Sequence, residues 1–381
     1  MTPVQTPPDL RSLTTLRFFA ALWVVLFAAW PHLDVGFMPT AVTKGYLGVE
    51  VFFVLSGFIL SHVYLEAAGP REGFSYRGFL WARIARVYPL HLVTLAGMIA
   101  LGAGATIAGL TVSESLLDWR SLPAHVSLTH AWGLAASAAF NHPSWSISAE
   151  WFAYLSFPAF AWAAWRLRDR PLLATLGAAC GALALYALFE PVAGFSLTEA
   201  TFRWGALRIV PCFALGCALY LIHRRAPVPH AGWLAIASGA GLIACASLAL
   251  WDPLVVLCAG GLILGLGGLD NARAGLLASK PAVYLGEISY SVYMVCAPVL
   301  LLGVNVAARL TGADDKRLHV IVWLAVLALI PVAAAATYHL VERPARKALR
   351  ALAARNGPAS TPVEVGANSP ERVLQPSKTI V

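Results

Sequence analysis

Long apolar runs, each about as long as the helix needed to cross a bilayer, follow one another along almost the whole chain. They lie at 16–33, 46–65, 87–109, 145–166, 172–189, 206–223, 231–250, 253–268, 283–303 and 319–341. The chain is 59% hydrophobic and only 12% charged, and a soluble fold has no way to hide so much apolar surface. We therefore predict an all-α integral membrane protein with about ten transmembrane helices in a lipid bilayer.

Basic residues are shared unevenly between the loops on the two sides of the predicted bundle. The chain holds 27 Lys and Arg residues and has a net charge of +8, and most of these residues lie in segments on the side that carries both chain ends. Because cytoplasmic loops are enriched in Lys and Arg, both termini are predicted to be cytoplasmic. The charges occur in short segments between apolar runs, which argues against nucleic acid as a partner.

The chain divides into a predicted membrane domain, residues 1–347, and a predicted cytoplasmic tail, residues 348–381. From about residue 356 the tail is rich in Pro, Ser, Val and Glu without helical periodicity, as is typical of a disordered segment. The segment 124–140 is weakly apolar and is either a loop or a re-entrant or interfacial segment. The 6 cysteines form no CxxC pair and no His/Cys metal spacing, so we predict no metal site.

Polar and ionisable residues inside the apolar runs mark candidate functional positions, because such groups are costly in lipid. They belong to local motifs at 16–28, 48–58, 79–89, 145–154, 286–293 and 341–344. In this order the motifs resemble those of the membrane-bound acyltransferase-3 family, which includes O-acetyltransferases of cell-surface polysaccharides. The resemblance implies an acyltransferase of the bacterial inner (cytoplasmic) membrane. Its donor would be cytoplasmic acyl-CoA, with acetyl-CoA as the expected form, and its acceptor a hydroxyl of a cell-surface glycan or lipid-linked sugar.

The resemblance also assigns roles to site residues. Arg17 would hold the donor or the developing oxyanion, and Glu150 would orient the acceptor or the catalytic base. Arg83 and Arg86, three residues apart on a helix, would bind the phosphates of coenzyme A. Each of these residues also has a simpler interpretation. The arginines would serve membrane topology alone, and Glu150 would be a solvated loop carboxylate.

Three further residues complete the candidate set. The resemblance implies that Tyr290 and Tyr293, three apart on one helical face, line the path of the donor's pantetheine arm, although both also suit simple packing. Glu50, inside the second span, is predicted to form a structural ion pair with Arg208 or Arg17.

One position departs from the family pattern, in which a catalytic histidine follows the arginine after ten intervening residues. In this chain that position is Ala28, which has no group to accept a proton. The chain as written is therefore expected to be inactive. Three explanations stay open: a deliberate inactivating substitution, which we favour, a natural relative without activity, or a substitute base such as His32. His32 is a poor replacement because it lies one helical turn farther on and follows Pro31.

Two other classes of function remain as alternatives. A polytopic transporter or flippase also needs many spans and buried charges. A non-catalytic relative of the acyltransferases would explain Ala28 directly. Affinity for coenzyme A separates the first alternative from the acyltransferase, since transport requires no such binding.

Overall fold

The computed structural model describes residues 9–69, 73–110, 116–137 and 139–356, and within them the regular structure is helical. The α-helices in these ranges are α1 (Arg11–Ala29), α2 (Thr40–Thr43), α3 (Gly48–Tyr64), α4 (Tyr76–Ile107), α5 (Leu122–Val126), α6 (Ser144–Leu155), α7 (Phe157–Arg166), α8 (Pro171–Ala193), α9 (Gly205–Arg225), α10 (Ala231–Ser247), α11 (Asp252–Gly267), α12 (Lys280–Glu287), α13 (Ser289–Thr311), α14 (Val320–Thr337) and α15 (Arg343–Asn356).

The prediction of an all-α membrane protein is confirmed. Every apolar window of the sequence contains helix. In the described part of the chain, 7 helical segments are long and apolar enough to cross a membrane. They are Arg11–His32, Gly45–Tyr64, Tyr76–Ile107, Pro171–Ala193, Gly205–Arg225, Ser289–Thr311 and Val320–Ala353.

The remaining three predicted spans are shorter or broken helices. Helices α10 and α11 are apolar but have only 17 and 16 residues. The predicted span 145–166 is divided into α6 and α7 at Ser156. Pro158 lies in the first turn of α7, where its missing N–H and fixed φ suit the start of a new helix. The sidedness of the termini stays a prediction.

Hydroxyl groups anchor helix α1 to its neighbours in the bundle. It packs against α3, α12 and α13. Ser12 Oγ donates to the carbonyl oxygen of Leu266 at 2.9 Å, and Thr15 Oγ1 donates to that of Leu277 at 2.7 Å. Such bonds replace the water that these hydroxyls lose in lipid. They fix the height of α1 and therefore of Arg17.

Helices α3 and α9 cross so closely that only glycine fits at the contact. A Cβ atom on Gly216 would lie 2.7 Å from the backbone nitrogen of Phe58 and closer still to the carbonyl oxygen of Val54. Gly57 meets the backbone of Phe213 in the same way. Small residues allow such backbone approach between membrane helices. The crossing sets the position of the α3 side chains that line the candidate site.

Gly216→Ala is expected to destabilise the fold, because the added methyl group must push α3 and α9 apart. Overpacking of this kind costs about 1–3 kcal/mol. The matched control is Gly181→Ala in α8, where a Cβ atom meets nothing within 4 Å and alanine is the better helix former. Melting temperatures of the detergent-purified proteins test this. Equal melting temperatures for the two variants would contradict the close crossing.

Three buried histidine rings stack where the segment between α4 and α6 folds back onto α4. The ring centroids of His125 and His130 are 4.0 Å apart, and those of His91 and His130 are 6.2 Å apart. His125 and His130 lie outside the membrane-spanning helices. The pKa of His125 is lowered to about 4, mainly by burial and to a smaller extent by the nearby His91. The pKa of His130 is lowered to about 2, mainly by burial and to a smaller extent by His125. Both rings are therefore neutral at pH 7.

This histidine group predicts a loss of stability in acid. Unfolded histidine titrates near pH 6.5. Below that pH, His125 therefore binds a proton in the unfolded chain but stays unprotonated in the folded chain until the pH is much lower. Stability from this residue is complete above about pH 6.5 and falls as the pH drops toward 4. Melting temperatures between pH 7.5 and 4 measure the effect, and His125→Phe, an uncharged ring, should flatten part of the slope. An unchanged slope in that variant would rule out His125 as its source.

The chain stays helical across the predicted domain boundary at residue 348. A π-helical segment, Tyr338–Glu342, leads directly into α15, so the first part of the predicted tail, residues 348–356, is helical. The reason is composition, since this stretch consists largely of Ala, Leu and Arg, which are strong helix formers. The Pro- and Ser-rich part begins only at residue 357, and the prediction for 357–381 lies outside the described residues.

Candidate functional site

A cavity of about 90 Å³ lies between α1, α3, α4, α6 and α13. It is several times larger than the space of about 10–15 Å³ that one water molecule requires on the same measure. Its walls are largely apolar, but they carry most of the side chains singled out from the sequence: Arg17, Arg83, Arg86, Glu150, Tyr290 and Tyr293. Residues from five helices, scattered over the sequence, thus meet at one place.

The cavity has an excess of positive charge, with three guanidinium groups against the single carboxylate of Glu150. Within the described residues, neither Arg17 nor Arg86 has a hydrogen bond or ion pair. Both residues are half-buried, and a charge that is partly removed from water is costly unless neighbouring carboxylates or a ligand supply counter-charge. The cavity is therefore suited to an anionic ligand or to a reaction that develops negative charge.

Arg83 is held by aromatic rings and keeps part of its donor capacity unused. Only 7% of the residue is exposed. Its Nη2 atom donates to the hydroxyl of Tyr64 at 3.3 Å, and its guanidinium carbon lies 5.6 Å from the centre of that ring and 5.9 Å from the ring of Tyr154. The buried Nε atom of Arg83 has no partner. Because a buried donor normally finds an acceptor, this atom has donor capacity that a water molecule or a ligand could use.

Glu150 lies inside α6 and faces the cavity, so it is not a solvated loop carboxylate. Its Oε1 atom accepts a hydrogen bond from Ser56 Oγ at 2.7 Å. Ser56 itself lines the cavity and was missed by the sequence analysis. The signal that was available is a hydroxyl within the apolar run 46–65, although its partner on α6 becomes evident only from the packing.

Tyr290 and Tyr293 form a fixed wall at the start of α13. The hydroxyl of Tyr290 donates to the carbonyl oxygen of Val87 at 2.6 Å. Ser146 Oγ, a second cavity group that the sequence analysis missed, donates to the hydroxyl of Tyr293 at 2.9 Å. The ring of Tyr293 also packs against Phe52, with centroids 6.2 Å apart. These bonds hold both rings in place along the cavity.

Glu50 and Arg208 form a buried ion pair beside the site, which confirms the predicted pairing with Arg208. Both residues are at most 1% exposed. Arg208 Nη2 donates to Glu50 Oε2 at 3.0 Å, Nε donates to Oε1, and Nη1 donates to the carbonyl oxygen of Ala200. The guanidinium carbon lies 4.6 Å from the centre of the Trp145 ring. The pair thus connects α3 to α9, and Arg208 contacts the first turn of α6 through Trp145.

Ala28 does not line the cavity. It is exposed on α1, eleven residues beyond Arg17, which corresponds to about 16 Å along the helix axis. His32 lies in the short turn Trp30–His32 after the helix, and its carbonyl oxygen accepts a bond from the amide of Leu318. His142, another imidazole, is exposed, lies just before the start of α6 and was not singled out from the sequence.

Comparison with known proteins gives a family for this arrangement. A family model described as "Acyltransferase domain" matches residues 10–342. The chain is 31% identical over 388 residues, covering 89% of this chain and 92% of the relative, to a protein of Streptomyces mycarofaciens named Acyltransferase MdmB. It is 29% identical to BcsY of Komagataeibacter xylinus, named as a membrane-bound transacylase, over 87% of this chain and 82% of that one.

A more distant relative has a name that also states an acceptor. YrhL of Bacillus subtilis (strain 168), named as a peptidoglycan O-acetyltransferase, is 24% identical over 87% of this chain and 54% of its own length. No solved structure matches the chain.

Proposed function

The chain belongs to this family of membrane acyltransferases, and from that premise we propose that it moves an acyl group from cytoplasmic acyl-CoA to a hydroxyl of a cell-surface glycan or lipid-linked sugar. Acetyl-CoA is the proposed donor. The proposal places the protein in a bacterial cytoplasmic membrane, with ten spans and both termini in the cytoplasm. The observation that supports it most strongly is the cluster of three arginines and one glutamate in a cavity inside the bundle.

The proposed reaction forms an ester and breaks a thioester. The acceptor hydroxyl oxygen attacks the thioester carbonyl carbon, a base removes the hydroxyl proton, and the coenzyme A thiolate leaves. Arg17 lines the cavity and holds the anionic donor there, because position 28 lies about 16 Å farther along α1 and the reacting carbonyl must lie close to the base. Glu150, held by Ser56, orients the acceptor or the base, and Tyr290 and Tyr293 guide the pantetheine arm.

Position 28 determines whether this chemistry proceeds. The proposed base position is on α1 about 16 Å beyond Arg17, so the acyl end of the donor must pass through the cavity toward the far side of the membrane. With alanine at this position, we propose that the chain as given binds donor without transferring the acyl group. A non-catalytic relative would have the same property.

Binding of acetyl-CoA is expected to weaken about ten-fold in each of the variants Arg83→Ala and Arg86→Ala. A hydrogen bond to a charged group contributes about 1.5–3 kcal/mol, and about 1.4 kcal/mol corresponds to a factor of ten in affinity. Titration calorimetry on the detergent-purified chain measures this. The control is Arg309→Ala, which removes an exposed cation at the other end of the predicted bundle. If the unaltered chain does not bind coenzyme A or acetyl-CoA, a transporter or flippase becomes the better interpretation.

A further inference from the structure

Helix α15 lies beyond the residues matched by the family model, yet it packs directly on the helix that carries Arg83 and Arg86. The family match ends at residue 342, and α15 begins at the next residue. It lies against α4, where the indole nitrogen of Trp81 donates to the carbonyl oxygen of Leu349 at 2.7 Å. The helix is thus held at the end of α4 where the cavity arginines are located.

This contact brings two further arginines close to the cavity arginines. Arg346 and Arg350 are one turn apart on α15, and Arg350 is within electrostatic range of Arg346, Arg83 and Arg86. Cations spaced four residues apart on a helix repel each other. The nearby carboxylate of Glu342 is 3.9 Å from Arg346, and its Oε2 atom is already bonded to Ser291 Oγ. The positive charge of the group is therefore only partly balanced.

The four arginines of this group, Arg83, Arg86, Arg346 and Arg350, range from buried to exposed. Arg83 is buried and lines the cavity, and its Nε atom has no partner. The side chain of Arg346 is 21% exposed, and Arg350 is exposed. The row of guanidinium groups thus runs from the cavity to the surface. An elongated anion that enters the cavity at one end would meet the outer arginines with its other end.

We propose that Arg346 and Arg350 form a phosphate subsite that binds the 3′-phosphate of the donor's nucleotide, while Arg83 and Arg86 bind the pyrophosphate. The proposal rests on the proposed function, since it takes acyl-CoA as the ligand. A terminal phosphate is a dianion with several acceptor oxygens, the group that paired arginines bind best. A phospholipid headgroup has related chemistry, but the continuity of this row with the buried Arg83 favours the nucleotide.

Comparing coenzyme A with 3′-dephospho-coenzyme A tests the subsite. The full chain is placed in nanodiscs of phosphatidylcholine, and dissociation constants are measured for the unaltered protein and for Arg346→Gln/Arg350→Gln. We expect the double variant to bind coenzyme A about 10-fold more weakly or worse and dephospho-coenzyme A as the unaltered chain does. The matched control, Arg343→Gln/Lys347→Gln, removes two exposed charges from the same helix and should leave both affinities unchanged.

Three results would overturn the subsite, and they differ from a failure of the proposed function. Unchanged coenzyme A affinity in the double variant, or equal losses for both nucleotides, would show that α15 does not bind the 3′-phosphate. A change in coenzyme A affinity that the double variant shows only in nanodiscs containing phosphatidylglycerol would assign Arg346 and Arg350 to lipid headgroups. In each case Arg83→Ala still weakens coenzyme A binding if the proposed function holds. If the unaltered chain does not bind coenzyme A at all, the proposed function fails, and this inference fails with it.

Discussion

A histidine at position 28 is expected to raise the rate of acetyl-CoA consumption by about 10²–10⁴-fold over that of the chain as it stands. This is the usual contribution of a well-placed general base, and alanine supplies none of it. The site should accept the larger side chain without strain, because Ala28 is exposed on α1. Release of free coenzyme A thiol, measured with saturating acetyl-CoA and a hydroxyl acceptor, gives the rate.

The control for this substitution is Ala28→Gln, whose side chain is similarly polar but takes up no proton at neutral pH. It should remain as slow as the unaltered chain. A rate in the unaltered chain equal to that of Ala28→His would contradict the role of position 28. The exposed imidazole of His142, just before the start of α6, would then be the first alternative base to remove.

Glu50→Ala is expected to lower the free energy of unfolding by about 3–5 kcal/mol, because it leaves the guanidinium of Arg208 buried without its counter-charge. The double variant Glu50→Ala/Arg208→Met should recover part of that loss, since an apolar side chain needs no partner in the core. Denaturant titration of the purified proteins in mild detergent measures both values.

The control for the ion pair is Arg317→Ala. Arg317 and Asp315 are 3.9 Å apart with side chains 54% and 67% exposed, and such surface pairs contribute at most about 1 kcal/mol. Similar losses for Glu50→Ala and Arg317→Ala would contradict a structural role of the buried pair. A double variant less stable than Glu50→Ala alone would show that Arg208 has a stabilising partner other than Glu50.

Hydropathy predicts the helices of this chain well because lipid exposure demands both apolar side chains and satisfied backbone groups. It does not predict the break at Ser156, because a Pro at the start of α7 interrupts the helix without changing its apolar character. It also fails at α12, where the helix ends at Glu287 inside the predicted span 283–303 and α13 begins at Ser289. Helix α15 was missed because a helical stretch rich in Arg has no apolar signal.

The candidate site was predictable to the extent that its residues are ionisable or aromatic groups in apolar motifs. Arg17, Glu150 and the other motif residues that line the cavity were chosen on that ground and on the family resemblance. The hydroxyls of Ser56 and Ser146 were not, because a serine in an apolar run is common and its partner lies on another helix. Arg350 has no mark in the sequence that separates it from the surrounding topology-determining cations.

Acyl transfer itself is tested most directly by detecting the ester product. The Ala28→His chain is reconstituted in sealed proteoliposomes, radiolabelled acetyl-CoA is supplied to the side of the chain termini, and a mixture of polysaccharides and lipid-linked sugars serves as acceptor. We predict base-labile label on the acceptor, abolished or strongly reduced by adding Arg17→Ala. Absence of labelled ester with any acceptor, while the same protein binds acetyl-CoA, would contradict acyl transfer to a glycan hydroxyl as the function of this fold.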